Sequence, residues 1–154
     1  AVGVAFGVLP VSGAAWLQSG VIDANLILYS LPISAWVTAI LLVNEVPDIV
    51  ADRATGKRTL PVRLGHEGSA ALYATIHVFA AAVVVWLSIF SPLPLGTLLV
   101  PVALLPLAFQ AAGAIRRGVG DRPRMTKAIE STLAIHTIGA IWLTGTAMFA
   151  AFGN

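Results

Sequence analysis

Charged and uncharged positions divide this chain into long blocks. Residues 1–22, 24–44, 68–115 and 131–154 contain no Asp, Glu, Lys or Arg, and the sixteen charges fall between them. A helix that crosses a bilayer needs ~20 predominantly apolar residues. Three blocks therefore fit one crossing each and the third block, 68–115, fits two. Its natural break is Ser91-Pro92-Leu93-Pro94-Leu95-Gly96, where two prolines and a glycine favour a turn. The pattern predicts an all-α, polytopic transmembrane helix bundle with about five spans, at 1–18, 25–47, 69–90, 95–113 and 129–151. Alternation with period two, which a barrel strand requires, is absent from the apolar blocks. Pro10, Pro32, Pro101 and Pro106 fall inside the expected spans and are expected to kink them.

Composition supports the same class. Of the 154 residues, 58% are hydrophobic and only 10% charged, with a mean hydropathy of +0.90. A soluble domain carries about 25% charged residues to wet its surface. Cys is absent, which excludes a disulfide-stapled module, and the high apolar content excludes a disordered chain. A formal charge of +2 is too small and too localised for nucleic-acid binding. The chain begins at Ala1 inside an apolar run, so it is expected to be a fragment of a longer protein.

The placement of the charges suggests an orientation. Arg53, Lys57, Arg58 and Arg63 follow the second span, and Arg116, Arg117, Arg122, Arg124 and Lys127 follow the fourth. The connections around Asp23 and Pro92 hold no Lys or Arg. Basic and neutral connections therefore alternate, which puts both charged loops in the cytoplasm and the C-terminus outside. The basic groups of the second loop could bind diphosphate or anionic headgroups, although orientation alone explains them. His77, His136, Trp36, Trp86 and Trp142 lie within spans, where helix packing is the simpler reading of each.

Chemistry is concentrated in NEVPDIVADRATGKRTL, which runs from Asn44 to Leu60. Asn44, Asp48 and Asp52 are spaced i, i+4, i+8, a single stripe on a helix that drifts ~40° per step. Glu45 lies beside the stripe. Pro47 is expected to bend the helix, and Gly56 to end it just before Lys57 and Arg58. Two carboxylates ~6 Å apart repel by roughly 3 kcal/mol at an effective dielectric of 20. A hard divalent cation relieves that repulsion, and Mg²⁺ characteristically combines one or two carboxylates with phosphate oxygens. The stretch therefore reads as a site for a Mg²⁺-bound phosphate at the membrane boundary, on a cytoplasmic loop of about 48–67. It is not a P-loop, because Ala51 stands where the first glycine would be.

The segment NEVPDIVADRATGKRTLPVRLG resembles the second aspartate-rich motif of the UbiA superfamily of intramembrane prenyltransferases. Its Asp-x3-Asp pair, Gly-Lys-Arg-Thr-Leu and Val-Arg-Leu-Gly look most like the branch that prenylates 1,4-dihydroxy-2-naphthoate for menaquinone. Family members have about nine helices, and the five expected spans match the last five. The resemblance implies a multi-pass protein of the prokaryotic plasma membrane. It further implies that Asp48 and Asp52 are catalytic and hold Mg²⁺ on the diphosphate of a polyprenyl donor. Asn44 and Glu45 would assist, and Lys57 and Arg58 would bind diphosphate oxygens. The acceptor would be an aromatic quinone precursor, and apolar walls would house the tail.

The family's first motif, Asn-x3-Asp-x3-Asp, has no counterpart in this chain. The chain alone is therefore expected to be inactive, and prenyl transfer by the isolated 154 residues with Mg²⁺ would refute that. The alternative function is an ion-coupled transporter or a non-catalytic membrane scaffold. Transporters place their ion near the bilayer midplane, between broken helices, whereas these acids cluster at one helix end.

Overall fold

In the computed structural model, residues 2–22, 24–118, 120 and 122–152 are described; Ala1, Asp23 and Asp121 lie outside them. Every regular element among the described residues is helical. A π-helical stretch, Val4–Val8, leads into α1 (Leu9–Ser19), followed by α2 (Ala24–Glu45) and α3 (Ile49–Ala54). Then come α4 (Leu60–Phe90), α5 (Leu99–Ala103), α6 (Leu105–Arg117) and α7 (Arg122–Phe152). Two 3₁₀ turns, Val46–Asp48 and Leu95–Leu98, join α2 to α3 and lead into α5.

Four helical stretches are long and apolar enough to cross a membrane: Ala24–Ala54, Leu60–Phe90, Leu95–Arg117 and Arg122–Phe152. Val4–Ser19 is a shorter apolar helix. Large apolar side chains such as Phe6, Leu17, Phe90, Phe149 and Phe152 are exposed around the bundle. That distribution is costly in water and suits lipid. The chain is an integral membrane protein.

The helices run beyond the apolar blocks that mark them. Helix starts at Leu60, breaks at Gly65 (φ +66°, ψ −175°) and runs on through the expected start at 69, and α7 begins at Arg122 rather than 129, because Lys, Arg and Glu are good helix formers once outside hydrocarbon. The connection expected at 48–67 contracts to residues 55–59. Pro32 leaves α2 uninterrupted, while Ser34 and Thr38 donate to the carbonyls of Ser30 and Ser34 at 2.8 and 2.7 Å. Pro106 sits in the first turn of α6, where no helical N–H is needed, and Pro10 follows directly on the π-helical stretch within the continuous helix Val4–Ser19. The break near Pro101 and Pro106 falls at Leu104, between α5 and α6.

α2, α4, α6 and α7 form a ring in which each packs on the next and α7 returns to α2, while α1 lies against α2. Small residues allow the close approaches. Gly139 on α7 faces Trp36 on α2; a Cβ there would come within 2.6 Å of the indole. Gly7 lies against Ser34 in the same way. Tyr73 on α4 donates to the Thr132 hydroxyl on α7 at 2.6 Å, and Thr132 donates to the Ala128 carbonyl at 2.7 Å. His77 is buried, with Nδ1 3.0 Å from the Tyr73 carbonyl. Trp36 is buried on Gly139, and Trp142 donates to the Thr97 carbonyl at 3.1 Å.

Candidate functional site

The site is built by three backbone events in succession. α2 ends at Glu45 and the chain tightens into the 3₁₀ turn Val46–Asp48, which includes Pro47. It resumes as α3 and stops at a glycine cap. Gly56 has φ +76°, its N–H bonds the Arg53 carbonyl at 3.2 Å, and the Lys57 N–H bonds the Asp52 carbonyl at 2.9 Å. This pair of bonds is the Schellman motif, and it needs a residue that tolerates the left-handed region.

The 3₁₀ turn alters the expected stripe. Each 3₁₀ residue advances the helix by roughly 20° more than an α residue, so three shift the phase by about 60°. The turn rotates Asp48 and Asp52 alike relative to Asn44, and the ordinary ~40° drift of the next four residues then takes Asp52 under the chain, so that Asn44 and Asp48 are exposed, Glu45 is half-buried and Asp52 is buried. Asp52 then meets Lys57, whose Nζ lies 2.9 Å from Oδ1. The Lys57 side chain is 65% exposed and that of Asp52 only 11%. The hydrogen bond to Asp52 and its charge raise the Lys57 pKa above the ordinary lysine value, and Asp48 adds a smaller push in the same direction. Asp48, Asp52 and Lys57 thus form one electrostatic group. Arg58 stands exposed next to it. Arg53 reaches across the connection, donating from Nη2 to the Val62 carbonyl at 3.2 Å.

Two cavities flank this segment, the first lined by Asp48 and the second by its sequence neighbours Glu45 and Thr59 but by none of the three grouped residues. One, of about 490 Å³, is lined by Pro47 and Asp48 together with Arg122, Met125, Thr126 and Ile129 of α7. It brings Arg122 opposite Asp48. The other, of about 660 Å³, lies between the Val4–Val8 stretch, α2 and α4, with Glu45 and Thr59 among its lining residues. It reaches from Glu45 to Leu31 along α2, about 20 Å at 1.5 Å per residue. Its walls are mainly aliphatic, with Leu42, Leu72, Ile76 and Phe79 contributing. The Thr59 hydroxyl is buried without a hydrogen-bond partner, which is costly unless a ligand supplies one.

Arg122 and Thr59 are the two residues that the motif did not single out. Thr59 lies inside the Gly-Lys-Arg-Thr-Leu run, so its position gave a signal. Arg122 stood out only as one of five basic residues in the second charged loop, because its approach to Asp48 depends on the packing of α7 against α2.

Among the described residues no group of three or more His, Cys, Asp and Glu could hold a metal. The motif supplies two carboxylates here, Asp48 exposed and Asp52 buried on Lys57, and a metal that keeps several waters and completes its shell with phosphate oxygens asks for no more than one or two.

A polytopic helical membrane protein with paired carboxylates, adjacent cations and an apolar cavity suits an amphipathic anionic ligand. The chain belongs to the UbiA prenyltransferase family, whose model matches residues 1–138. It is 29% identical over 154 residues to a 1,4-dihydroxy-2-naphthoate octaprenyltransferase of Mycobacterium tuberculosis, covering 100% of this chain and 50% of the relative. An Escherichia coli protein of the same name is 31% identical over 132 residues, covering 84% of this chain and 43% of the relative. One from Haemophilus influenzae is 42% identical over 62 residues, covering 40% and 20%. The chain spans about half the length of the M. tuberculosis relative or less of the others. No solved structure matches it significantly.

Proposed function

We propose that this chain supplies the second acidic motif of a Mg²⁺-dependent polyprenyltransferase. The donor is a polyprenyl diphosphate and the acceptor an aromatic quinone precursor, 1,4-dihydroxy-2-naphthoate on the route to menaquinone. The observation that carries the reading is the gathering of Asp48, Asp52 and Lys57 beside an apolar cavity of about 660 Å³ lined by Glu45 and Thr59. The diphosphate of one ligand would then lie at Asp48, Asp52 and Lys57, and its tail in the cavity that their sequence neighbours Glu45 and Thr59 border. The names of the relatives support the choice of acceptor.

In this reading Asp48 and Asp52 hold the metal, with Asn44 and Glu45 assisting from the end of α2. Lys57, Arg58 and Arg122 contact diphosphate oxygens, and Thr59 donates its unpaired hydroxyl to the ligand. The allylic carbon–oxygen bond breaks, its electron pair leaves with the diphosphate, an electron-rich ring carbon of the acceptor captures the allylic cation, and that carbon then loses its proton, or its carboxyl group as carbon dioxide, to restore the aromatic ring. When bound, Mg²⁺ offsets the charge that builds on the departing diphosphate. The cationic side chains act on the same developing charge, and the aliphatic walls keep water from the cation. The basic loops face the cytoplasm and the C-terminus lies outside.

Hydrogen exchange of the chain in lipid nanodiscs tests this. A polyprenyl diphosphate with Mg²⁺ is expected to protect residues 44–59, and neither component alone should do so. Unchanged exchange there, or protection by a monovalent ion without diphosphate, would overturn the reading in favour of an ion site.

A further inference from the structure

On a different face of the bundle, α6 and α7 enclose a cleft of about 460 Å³. Its lining includes Arg117 from the end of α6 and Arg124 and Lys127 from the first turns of α7. A Cβ added at Gly113 would sit 3.6 Å from Arg117 Nη2, so the guanidinium folds back along α6 over that glycine. Ser131 adds a hydroxyl one turn beyond Lys127. None of the described lining residues is acidic. The neighbouring Arg116 turns away, bonding Glu67 of α4 at 2.9 Å. The cleft therefore collects particular cations rather than whatever charge lies nearby.

Two turns before Arg117, the α6 side of the cleft changes character. Phe109 lines the same cleft, is 52% exposed, and belongs to Leu95–Arg117, one of the stretches long and apolar enough to cross a membrane. Cations beside an exposed aromatic surface make the cleft amphipathic. Free phosphate would satisfy the cations and leave the apolar wall unused, whereas a phosphate joined to hydrocarbon would use both.

We propose that this cleft binds an anionic phospholipid, with Arg117, Arg124 and Lys127 on its headgroup phosphate and an acyl chain along Phe109. Basic pockets between membrane helices are suited to such headgroups. Neither Asp48, Asp52 nor Lys57 lines the cleft, so the inference stands apart from the proposed prenyl transfer.

Native mass spectrometry of the full 154-residue chain, released from mixed phosphatidylglycerol and phosphatidylcholine, tests it. Phosphatidylglycerol should be retained selectively by the wild type. The combined Arg117→Ala and Lys127→Ala variant should lose about tenfold or more in retention, since each surface cation adds about 1 kcal/mol to anionic-lipid attraction. Arg116→Ala removes one charge outside the cleft and should leave retention unchanged. Equal retention of the two lipids by the wild type would overturn the proposal whatever the variants do. So would an equal loss in Arg116→Ala, which would indicate diffuse attraction. Displacement of the lipid by millimolar inorganic diphosphate would assign the cleft to a soluble phosphate instead.

Discussion

Lys57 grips Asp52 at two points: its backbone N–H bonds the Asp52 carbonyl at 2.9 Å, and its ammonium bonds the Asp52 carboxylate, also at 2.9 Å. The first contact is a consequence of the Gly56 cap, and the second of the burial of Asp52. The cation proposed to meet diphosphate and the carboxylate proposed to hold metal are thus paired with each other in the unliganded chain. Binding would exchange one neutralising partner for another, which avoids leaving a buried carboxylate unpaired.

Replacing Asp48 or Asp52 with Ala should therefore remove Mg²⁺-dependent protection of residues 44–59. In a protein that also carries a first aspartate-rich motif, each change should lower prenyl transfer by about a hundredfold or more. Single-turnover assays with a polyprenyl diphosphate would measure this, and retained transfer would remove that residue from the mechanism.

Acidity at Lys57 gives a second expectation. Its folded pKa is raised above the ordinary 10.5, first by the hydrogen bond it donates to Asp52 and then by that residue's charge. The stabilisation from protonated Lys57 is thus fully present below the unfolded lysine pKa and is lost as pH rises through the folded value. Amide exchange at Gly56 and Lys57, corrected for intrinsic rates, should stay flat from neutrality until the alkaline range. Asp52→Asn should lower the lysine pKa, followed by NMR of the labelled ammonium group.

Gly65 interrupts α4 with φ +66° and ψ −175°, while nothing lies within 4 Å of where its Cβ would be. Conformation rather than space selects glycine here. Gly65→Ala should cost about 1–3 kcal/mol in unfolding measurements. Gly145→Ala, in an open position on α7, should instead be neutral or stabilise by up to about 1 kcal/mol.

At Gly139 space decides. A Cβ would come within 2.6 Å of Trp36 Cη2, so Gly139→Ala should destabilise by about 1–3 kcal/mol. Trp36→Phe should relieve part of that cost, and a double-mutant cycle of thermal unfolding would show the two changes to be non-additive.

Much of the architecture was legible in the sequence because hydrocarbon restricts the choices. Uncharged blocks had to be helical, and Pro47 and Gly56 punctuated the acidic segment at the positions where the backbone changes. The UbiA motif was equally legible, since its residues are local. Rotation was harder to read. A stripe from Asn44 to Asp52 assumes an unbroken α-helix, and the 3₁₀ turn at Val46–Asp48 rotates Asp48 and Asp52 alike, so that the ordinary drift beyond it takes the last carboxylate inward. Pairing of distant helices was harder still. Residues that are apolar all round do not indicate which face meets which neighbour, so neither the Trp36–Gly139 contact nor the approach of Arg122 to Asp48 could be read beforehand.

The short connection after α3 also bears on speed. Residues 55–59 are fixed on one side by the Gly56 cap and bridged on the other by Arg53 to the Val62 carbonyl. The backbone has little room to swing, so Lys57 would leave Asp52 for an incoming anion by turning its own exposed side chain. Such rotamer changes take picoseconds to nanoseconds, faster than the nanosecond-to-microsecond rearrangement of a mobile loop. Charge at the mouth of this site could be rearranged before a diffusing ligand has moved away.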